Sequence, residues 1–529
     1  MRTLKIFISL LIVVLLTTQS VYAETEIGGS LKIDLRSLTK KTYCDFYNRE
    51  DILTLKISSD LSDNVSIYGS LQGRYFDSPE LTNFDSLKER DKVDPFIFDL
   101  WEAYIDISSF ISEDLDIRIG KQIVEWGSAD MLNPTSTLNP HDMSDPLDFS
   151  KRLPITMLNM NYYFPWEKVT SMQLIWIPSH KPALLPKSNM TMPMDIPIPA
   201  DLQELQSSDG SFGSNPMSEK MDITINDPIE LVDHKPFYPK NSEVGIRLTG
   251  NIFNTDFHFS YYNGYDEFPL PSKISAEISN EEEINNIISG ALSGVDKTNS
   301  LAIISALNSI DKIPLNIEST IILAYPHYHI IGSDFKTDIN GVGFWGEIGY
   351  YIPYEYNITY RYPDKDAMTS DDTIQNLIAT EQLNIKYKET KIKYLTEPFV
   401  KYTLGAEYTF SGGWYFNAQF ARGFFFERGE TGLNDYLMLR FQKKCCSDLL
   451  LFSVFGGGSV EGGTLKYLIT RFELPDDLAT GFFGGPRIDY YPYDGITISI
   501  GAIFMGGKDS FFANMKDMEQ VYFQAETSF

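Results

Sequence analysis

The last nine residues, Val521 to Phe529, alternate: Val521, Phe523, Ala525 and Phe529 share one face with Thr527 as its only polar member, and Tyr522, Gln524, Glu526 and Ser528 share the other. A period of two with faces of opposite polarity describes a strand whose sides meet different media. The pattern recurs along the chain. Leu31, Ile33 and Leu35 oppose Lys32, Asp34 and Arg36, and Val65, Ile67, Gly69 and Leu71 oppose Ser66, Tyr68, Ser70 and Gln72. Trp101, Ala103, Ile105 and Ile107 oppose Glu102, Tyr104, Asp106 and Ser108; after a turn near Ser112 to Asp114, Leu115, Ile117 and Ile119 oppose Asp116, Arg118 and Gly120, which predicts a hairpin. Further runs lie at 243–252 and 400–410, and Ile496 to Phe504 is expected to pair with the terminal strand. Strands of about nine to eleven residues cross a bilayer. The repetition predicts an all-β chain, closed as an antiparallel transmembrane β-barrel of about 14–18 strands, with an even number favoured.

The N-terminal end is consistent with export. Arg2 and Lys5 form a basic start, Ile6 to Leu16 is apolar, and Val21, Tyr22 and Ala23 supply a small-residue cleavage site, so residues 1–23 read as a signal peptide and 24–529 as the barrel. Glu24 rather than Cys follows the cut, which argues against lipoprotein processing. The apolar stretch is too short for a spanning helix, and no later segment is long enough. Only helices and closed barrels satisfy backbone polar groups in lipid.

Mean hydropathy is −0.18, a value that a barrel reaches by diluting its lipid face with an equally long polar lumen face. The 35 Phe, 31 Tyr and 6 Trp supply rings for the girdles at the two membrane interfaces, and Trp126 is expected in one of them. Three Cys exclude a disulfide scaffold. Loss of Arg2 and Lys5 leaves 42 basic against 72 acidic residues, a charge of −30. Such a chain repels nucleic acid, and its acidity implies a mild cation preference for any pore. Its expected surroundings are outer-membrane lipid and lipopolysaccharide.

Three stretches break the strand rhythm. Residues 178–240, rich in Pro, Met and Ser, are expected to be a long loop unable to continue a sheet ladder. Residues 273–313 carry helical spacing at Ile284, Ile287, Ile288, Ala291 and Leu292 and again at Leu301, Ile304, Ala306 and Leu307. Residues 361–395 form a third, polar interruption. The first two are expected either to enter the lumen as a plug or to stay outside it.

The most specific wording runs through Trp101 and Glu102, then Arg118, Gly120, Lys121, Gln122, Trp126 and Gly127, then Leu138, Asn139, Pro140, His141 and Asp142. Over residues 97–160 it resembles a family of Gram-negative outer-membrane barrels with Arg-x-Gly-Lys/Arg-Gln and Trp-Gly motifs, porin-like and distantly alginate-export-like. The resemblance implies a barrel of largely unresolved function that accompanies, in some members, an inner-membrane exporter of hydrophobic compounds. The terminal aromatic face, Phe523 and Phe529, resembles the signal read by the outer-membrane assembly machinery. Physically, Glu102, Asp106, Asp116 and Arg118 fall on the polar faces of adjacent strands, where opposite charges meet across the ladder and either select solutes by sign or merely neutralise one another and solvate the wall. Arg74, Arg247, Arg422 and Lys401 are further pore-lining candidates, each expected as a counter-ion.

The expected function is therefore a non-enzymatic channel or exporter, with no cofactor or metal. A plugged structural or adhesive barrel is an alternative. A second alternative is a lipid hydrolase built on His258 and Ser260, which share a face; Asn263 follows, loosely resembling the His-x-Ser-Asn wording of a lipid A deacylase but two residues out of place. His327 and His329 also share a face, yet two His without a third ligand make a weak metal site.

Overall fold

The computed structural model describes the chain outside residues 1–24, 40–45, 77–95, 145–147, 149, 167, 186–220, 227–228, 232–240, 297, 300–301, 303–304, 306–312, 365–379, 381–384, 461–478, 508–511, 513–514 and 516–517. The first strands are β1 (Thr25–Leu38), β2 (Phe46–Ser62), β3 (Val65–Phe76), β4 (Phe96–Ile107), β5 (Leu115–Gln122), β6 (Ile155–Tyr163), β7 (Val169–Ile177), β8 (Met221–Asn226) and β9 (Ile229–Leu231). Then come β10 (Glu243–Ile252), β11 (Thr255–Tyr265), β12 (Leu270–Ile278), helix α1 (Glu281–Leu292), β13 (Ile313–Ala324), β14 (His327–Ile339), β15 (Val342–Pro353), β16 (Tyr356–Pro363) and β17 (Tyr387–Leu395). The last are β18 (Phe399–Thr409), β19 (Trp414–Arg422), β20 (Asp435–Cys445), β21 (Leu450–Val460), β22 (Ala479–Tyr493), β23 (Ile496–Gly507) and β24 (Gln520–Ser528).

Eighteen of these strands form one antiparallel sheet, and because β1 pairs with both β2 and β24 the sheet closes on itself. At the seam Ser30 lies opposite Ser528 and Asp34 opposite Gln524, and Gly29 and Phe529 exchange backbone hydrogen bonds of 2.9 and 3.0 Å. Closure removes every sheet edge that lipid would otherwise leave unpaired. The predicted hairpins at β4–β5 and β23–β24 are both present.

The alternation sorts the two faces. Leu31, Ile33, Ile105, Ile119, Phe259, Ile331, Ile348, Leu404, Phe452, Ile500 and Phe523 are exposed on the outer wall, whereas their neighbours Asp34, Ser70, Gln122, Asp334, Glu347, Thr403, Asn417 and Asp489 are buried inside. Among the described residues, the tight hairpin turns between neighbouring barrel strands lie at one rim, together with the start of β1 and the end of β24. Asn340 and Gly341, both at positive φ, make the two-residue turn between β14 and β15 in the primed geometry that suits twisted strands. The longer connections gather at the opposite rim.

Three of those long connections build a second, six-stranded mixed sheet. β12 pairs antiparallel with β13 and parallel with β16, β16 pairs with β17, and β13 takes β8 and β9 in parallel. The expectation that residues 178–240 could not join a ladder is therefore corrected. Its Pro-rich part is followed by the alternating Met221, Ile223 and Ile225, which supply strand pairing once β13 offers an edge. Residues 273–313 combine β12, the expected helix α1 with Ile284, Ile288 and Leu292 buried, and the start of β13. Most of the second helical stretch expected near 301–307 lies outside the described residues.

Candidate functional site

The interior of the barrel is occupied. The described residues of 123–154, the connection from β5 to β6, fold inward and reach the far wall. Where they meet it, Glu347 on β15 acts as a latch. Its buried carboxylate accepts hydrogen bonds from the main-chain N–H groups of Ser128, Ala129 (2.5 Å) and Thr135 (3.5 Å) and from the Thr135 hydroxyl (3.1 Å). A carboxylate placed on consecutive backbone donors is a strong, charge-assisted clasp. The same strand and its neighbours contribute more ties: the Tyr351 hydroxyl of β15 donates to the Pro134 carbonyl (2.7 Å), the Thr403 hydroxyl of β18 to the Leu132 carbonyl (2.9 Å), and the Asn417 amide of β19 to Asp130 (2.8 Å). The Ser128 hydroxyl donates to Asp334 (2.6 Å), which also contacts His258 and Arg247.

The segment is held internally by Asn139, whose side-chain oxygen accepts from Val124 N (2.8 Å) and whose amide donates to the carbonyls of Gln122 and Leu153. Apolar packing completes the seal. Val124, Trp126 and Leu138 join inward residues Ile155, Met157, Ile175, Tyr262, Ile330, Tyr351 and Phe399 in one cluster; Leu132 and Met143 join Phe268, Phe424, Phe426, Met438, Phe483 and Met505 in another. The wall residues of both clusters sit at strand ends next to the long connections. The inner wall is thus apolar around the segment and polar toward the tight-turn rim.

Trp126 corrects the girdle expectation. It is 1% exposed, inside the barrel, with its indole N–H donating to Gln173 on β7 at 2.7 Å. Gly127, at φ +92°, passes so close over Glu347 that a Cβ would meet both carboxylate oxygens and Asn133. Gly120, at φ +140°, lies against Ala103 and Tyr104 with no room for a side chain. Gln122 is fully buried and donates to the Met157 carbonyl (3.1 Å), while Lys121 donates to the Leu100 carbonyl and lies 3.6 Å from Asp99. A bulge in the β3–β4 ladder leaves Trp101 unpaired between Leu100 and Glu102. Its ring stacks beneath Arg74 (5.7 Å) and Lys151 (5.6 Å).

The four charges expected to cluster do so only in part. Asp106 and Arg118 form a bidentate pair at 2.6 and 3.1 Å, with Arg118 over the Tyr104 ring. Glu102 instead accepts from Ile123 N (3.1 Å) at the root of the inward segment, and Asp116 accepts from Ser109 N (3.0 Å) in the tight turn. Arg74 lies 3.5 Å from Glu50 and 3.9 Å from Asp142, Arg247 lies 3.5 Å from Asp334, and Arg422 lies 3.1 Å from both Asp435 and Glu430. Lys401 departs from the counter-ion expectation, because its ammonium donates to the carbonyls of Phe424 (2.8 Å) and Phe425 (3.2 Å). His258 directs Nδ1 to Asp334 (2.7 Å), and Asn263 lies on the opposite strand face from His258 and Ser260. Phe523 is on the outer wall, and the Phe529 ring covers Gly29. His327 and His329 are on the outer face beside Tyr261 and Tyr354, and among the described residues no three His, Cys, Asp or Glu converge as a metal site.

Beyond the strands, Asp142 and Lys151 pair at 2.7 Å, and Glu267 accepts from the His141 main-chain N–H (2.6 Å) and meets its Nδ1 at 2.7 Å. Burial alone would raise the Glu267 carboxyl; the His141 contacts and the nearby Arg152 guanidinium overcome it and hold the group at about 2.

The segment does not fill the whole lumen. A polar cleft of about 470 Å³ remains between Asp130, Met131, Asp148 and Ser150 of the segment and the wall formed by β1 and β20–β24. The wall presents Lys32, Arg36, Arg440 and Arg487 toward it, together with Asp489, Gln442 and Gln524. Arg36 is bidentate with Asp34 and Arg487 pairs with Asp489 at 2.7 Å, whereas Arg440 has no counter-ion in contact among the described residues. Sequence reasoning named Asn139 only as part of the motif and did not single out Glu347 or Arg440. Alternation along β15 and β20 puts both on the inner face, but nothing local marks them as latch or cleft residues.

A family model for a protein of unknown function (DUF1302) matches residues 58–358. No curated protein matches the chain. Among solved structures, Salmonella typhi OmpF in complex with daunomycin is similar at 9% identity, with 96% of this chain and 97% of that chain covered and a TM-score of 0.34. A triple mutant of the Rhodopseudomonas blastica porin is similar at 10% identity, with 96% and 100% covered and a TM-score of 0.33.

Proposed function

The chain belongs to the DUF1302 family of proteins of unknown function, and from that premise we propose that it is an outer-membrane channel that passes small polar solutes. The observation that carries this reading is the charged cleft left between the inward segment and the β1, β20–β24 wall of a closed barrel. A barrel built only for anchorage or adhesion has no use for a lumen-facing row of Lys32, Arg36, Arg440 and Arg487 opposite Asp130 and Asp148. Field lines across such a cleft act on a permeating solute at close range, in surroundings less screened than bulk water.

In this reading the tight turns face the periplasm and the long connections, with their six-stranded sheet, face outward. The exposed apolar wall contacts lipid and, in the outer leaflet, lipopolysaccharide. Glu102, Asp106, Arg118, Arg247 and Lys401 stabilise the wall and the inward segment, and solute contact falls to the cleft residues. The four cations of the cleft are matched by Asp130, Asp148, Asp489 and the Asp34 that pairs with Arg36, so the lining is close to neutral and selectivity follows it and not the acidic whole.

The test is single-channel recording of the refolded chain in a planar bilayer, with heat-modifiable gel mobility as the check on folding. Small stable openings with a zero-current potential close to zero in a salt gradient are expected. A folded barrel that never conducts overturns the reading. A second reading, passage of hydrophobic compounds to or from an inner-membrane partner, draws on the apolar upper interior around Phe424, Phe426 and Phe483; binding of an apolar fluorophore, lost on Phe426→Asp, would favour it.

A further inference from the structure

The charges of the polar cleft cancel as a set, but they do not all meet. Lys32 and Arg36 share Asp34 at 3.7 and 2.8 Å, Arg487 pairs with Asp489 at 2.7 Å, and Asp148 is turned to the hydroxyl of its own neighbour Ser150 (2.6 Å). Asp130 of the inward segment and Arg440 of β20 complete the balance. Both line the cleft, and both line a narrower crevice that shares its wall, yet they are not in ion-pair contact with each other.

Their positions are fixed independently. Asp130 accepts the Asn417 amide on Oδ2 (2.8 Å), and the same amide reaches the Tyr415 hydroxyl (3.1 Å), which donates to Glu407 (2.6 Å). Oδ1 of Asp130 has no partner among the described residues, and neither has the Arg440 guanidinium. Asn417 is the direct ladder partner of Arg440, and both point inward, so these two side chains start roughly 5 Å apart. The carboxylate seated on Asn417 is therefore held near the guanidinium, and each keeps hydrogen-bonding capacity open to the lumen. Between and beside them the wall is apolar, formed by Met131, Phe455, Phe483 and Ile503.

This arrangement suits a ligand that carries both charges itself. A simple ion satisfies one of the two groups and faces its own sign on the other. A molecule with an ammonium and a carboxylate on one carbon satisfies both and leaves the neutral lining neutral. Guanidinium is also the side-chain group that grips a carboxylate through two parallel N–H bonds. Resting on the reading of the cleft as the solute path, we propose that it selects a small zwitterion of the α-amino acid type with an apolar side chain. The ligand ammonium donates to Oδ1 of Asp130, its carboxylate accepts from Arg440, and its side chain lies against Phe455 and Phe483. The cleft, at about 470 Å³, holds such a molecule together with water.

The test compares leucine with two molecules that each lack one of its charges, 4-methylpentanoate and 3-methylbutylamine, on the refolded full chain at pH 7 and equal ionic strength. Partial block of the open-channel current in a planar bilayer is one readout, and calorimetric binding to the detergent-folded barrel is the other. Leucine should act at a concentration about tenfold or more below either analogue, the effect of one charge-assisted contact. Asp130→Asn and Arg440→Gln should each remove that advantage. Asp130→Asn keeps a carbonyl for the Asn417 amide, so the segment stays tied. Leucine acting no better than both analogues, or unchanged in both variants, overturns the proposal. A barrel that conducts without preferring leucine refutes the zwitterion and keeps the channel; one that binds leucine in this order and never conducts refutes the channel and keeps the site. If neither variant folds, the ranking of the three molecules on the wild-type chain decides.

Discussion

Removing the Glu347 carboxylate should release the inward segment. In Glu347→Ala the N–H groups of Ser128, Ala129 and Thr135 and the Thr135 hydroxyl lose their acceptor at once. Each charge-assisted bond contributes about 1.5–3 kcal/mol, and a buried donor left unsatisfied costs about 1–3 kcal/mol. Water entering from the cleft recovers part of this, and the 3.5 Å contact is weak. Two well-formed backbone bonds plus the hydroxyl then leave a net loss of about 4 kcal/mol, which is close to a thousandfold shift between seated and unseated segment. The remaining ties, from Thr403, Tyr351 and Asn417, keep the segment near the wall but not clasped to it. In a planar bilayer the variant should show larger, noisier openings than wild type, and limited proteolysis should cut within 123–154. Glu347→Gln should be intermediate, since its amide oxygen can still accept while its NH₂ opposes one of the N–H groups. Wild-type conductance and protease resistance in Glu347→Ala would refute the latch.

Other consequences are open to measurement. Gly127→Ala should reproduce the Glu347→Ala openings, because its methyl meets the same carboxylate at a backbone angle that favours glycine. Arg440→Glu should give the near-neutral cleft a cation preference, read as a shift of the zero-current potential away from zero; an unchanged potential would show that permeation bypasses the cleft. Glu267 is held at about 2, below the ordinary 4.5 of an exposed glutamate, so it contributes about 3 kcal/mol that is present above pH 4.5 and lost as pH falls toward 2. Glu267→Gln should lower stability at neutral pH and flatten the acid limb of a pH-dependent melting series. Gly29→Leu should hinder closure of the β1–β24 seam, since a side chain there meets the Phe529 ring and the Thr54 carbonyl; the readout is loss of the fast-migrating folded band.

The strands were legible because lipid imposes a simple rule on one face of each, and Ile105, Ile331 and Leu404 obey it. The interior was less legible, since two different rules operate there. Near the tight turns inward residues such as Asp34 and Asp489 are polar, as alternation implies. Near the long connections Tyr262, Ile330 and Phe399 are inward and apolar, because they meet the inward segment and not water. An apolar residue on the inner face therefore marks protein contact, and no periodicity distinguishes it from lipid contact. The motif from Trp126 to His141 stood out in the sequence, but not its place: Trp126 could be assigned to a girdle as readily as to a core until Gln173 appeared opposite its N–H. The pairing of β8 with β13 was hidden for another reason, as its partner lies almost a hundred residues along the chain.

The six-stranded sheet has a mechanical consequence. Its strands come from three separate connections, joined by the parallel ladders β12–β16 and β13–β8. Each ladder crosses from one connection to another, so the three are wired in parallel and none can swing alone without breaking several backbone hydrogen bonds. The six described strands are therefore expected to move together, tilting at the tops of β7, β10, β11, β14, β15 and β18. The rest of the circumference, around β1 and β20–β24, carries no part of that sheet, and it is the side on which the cleft lies.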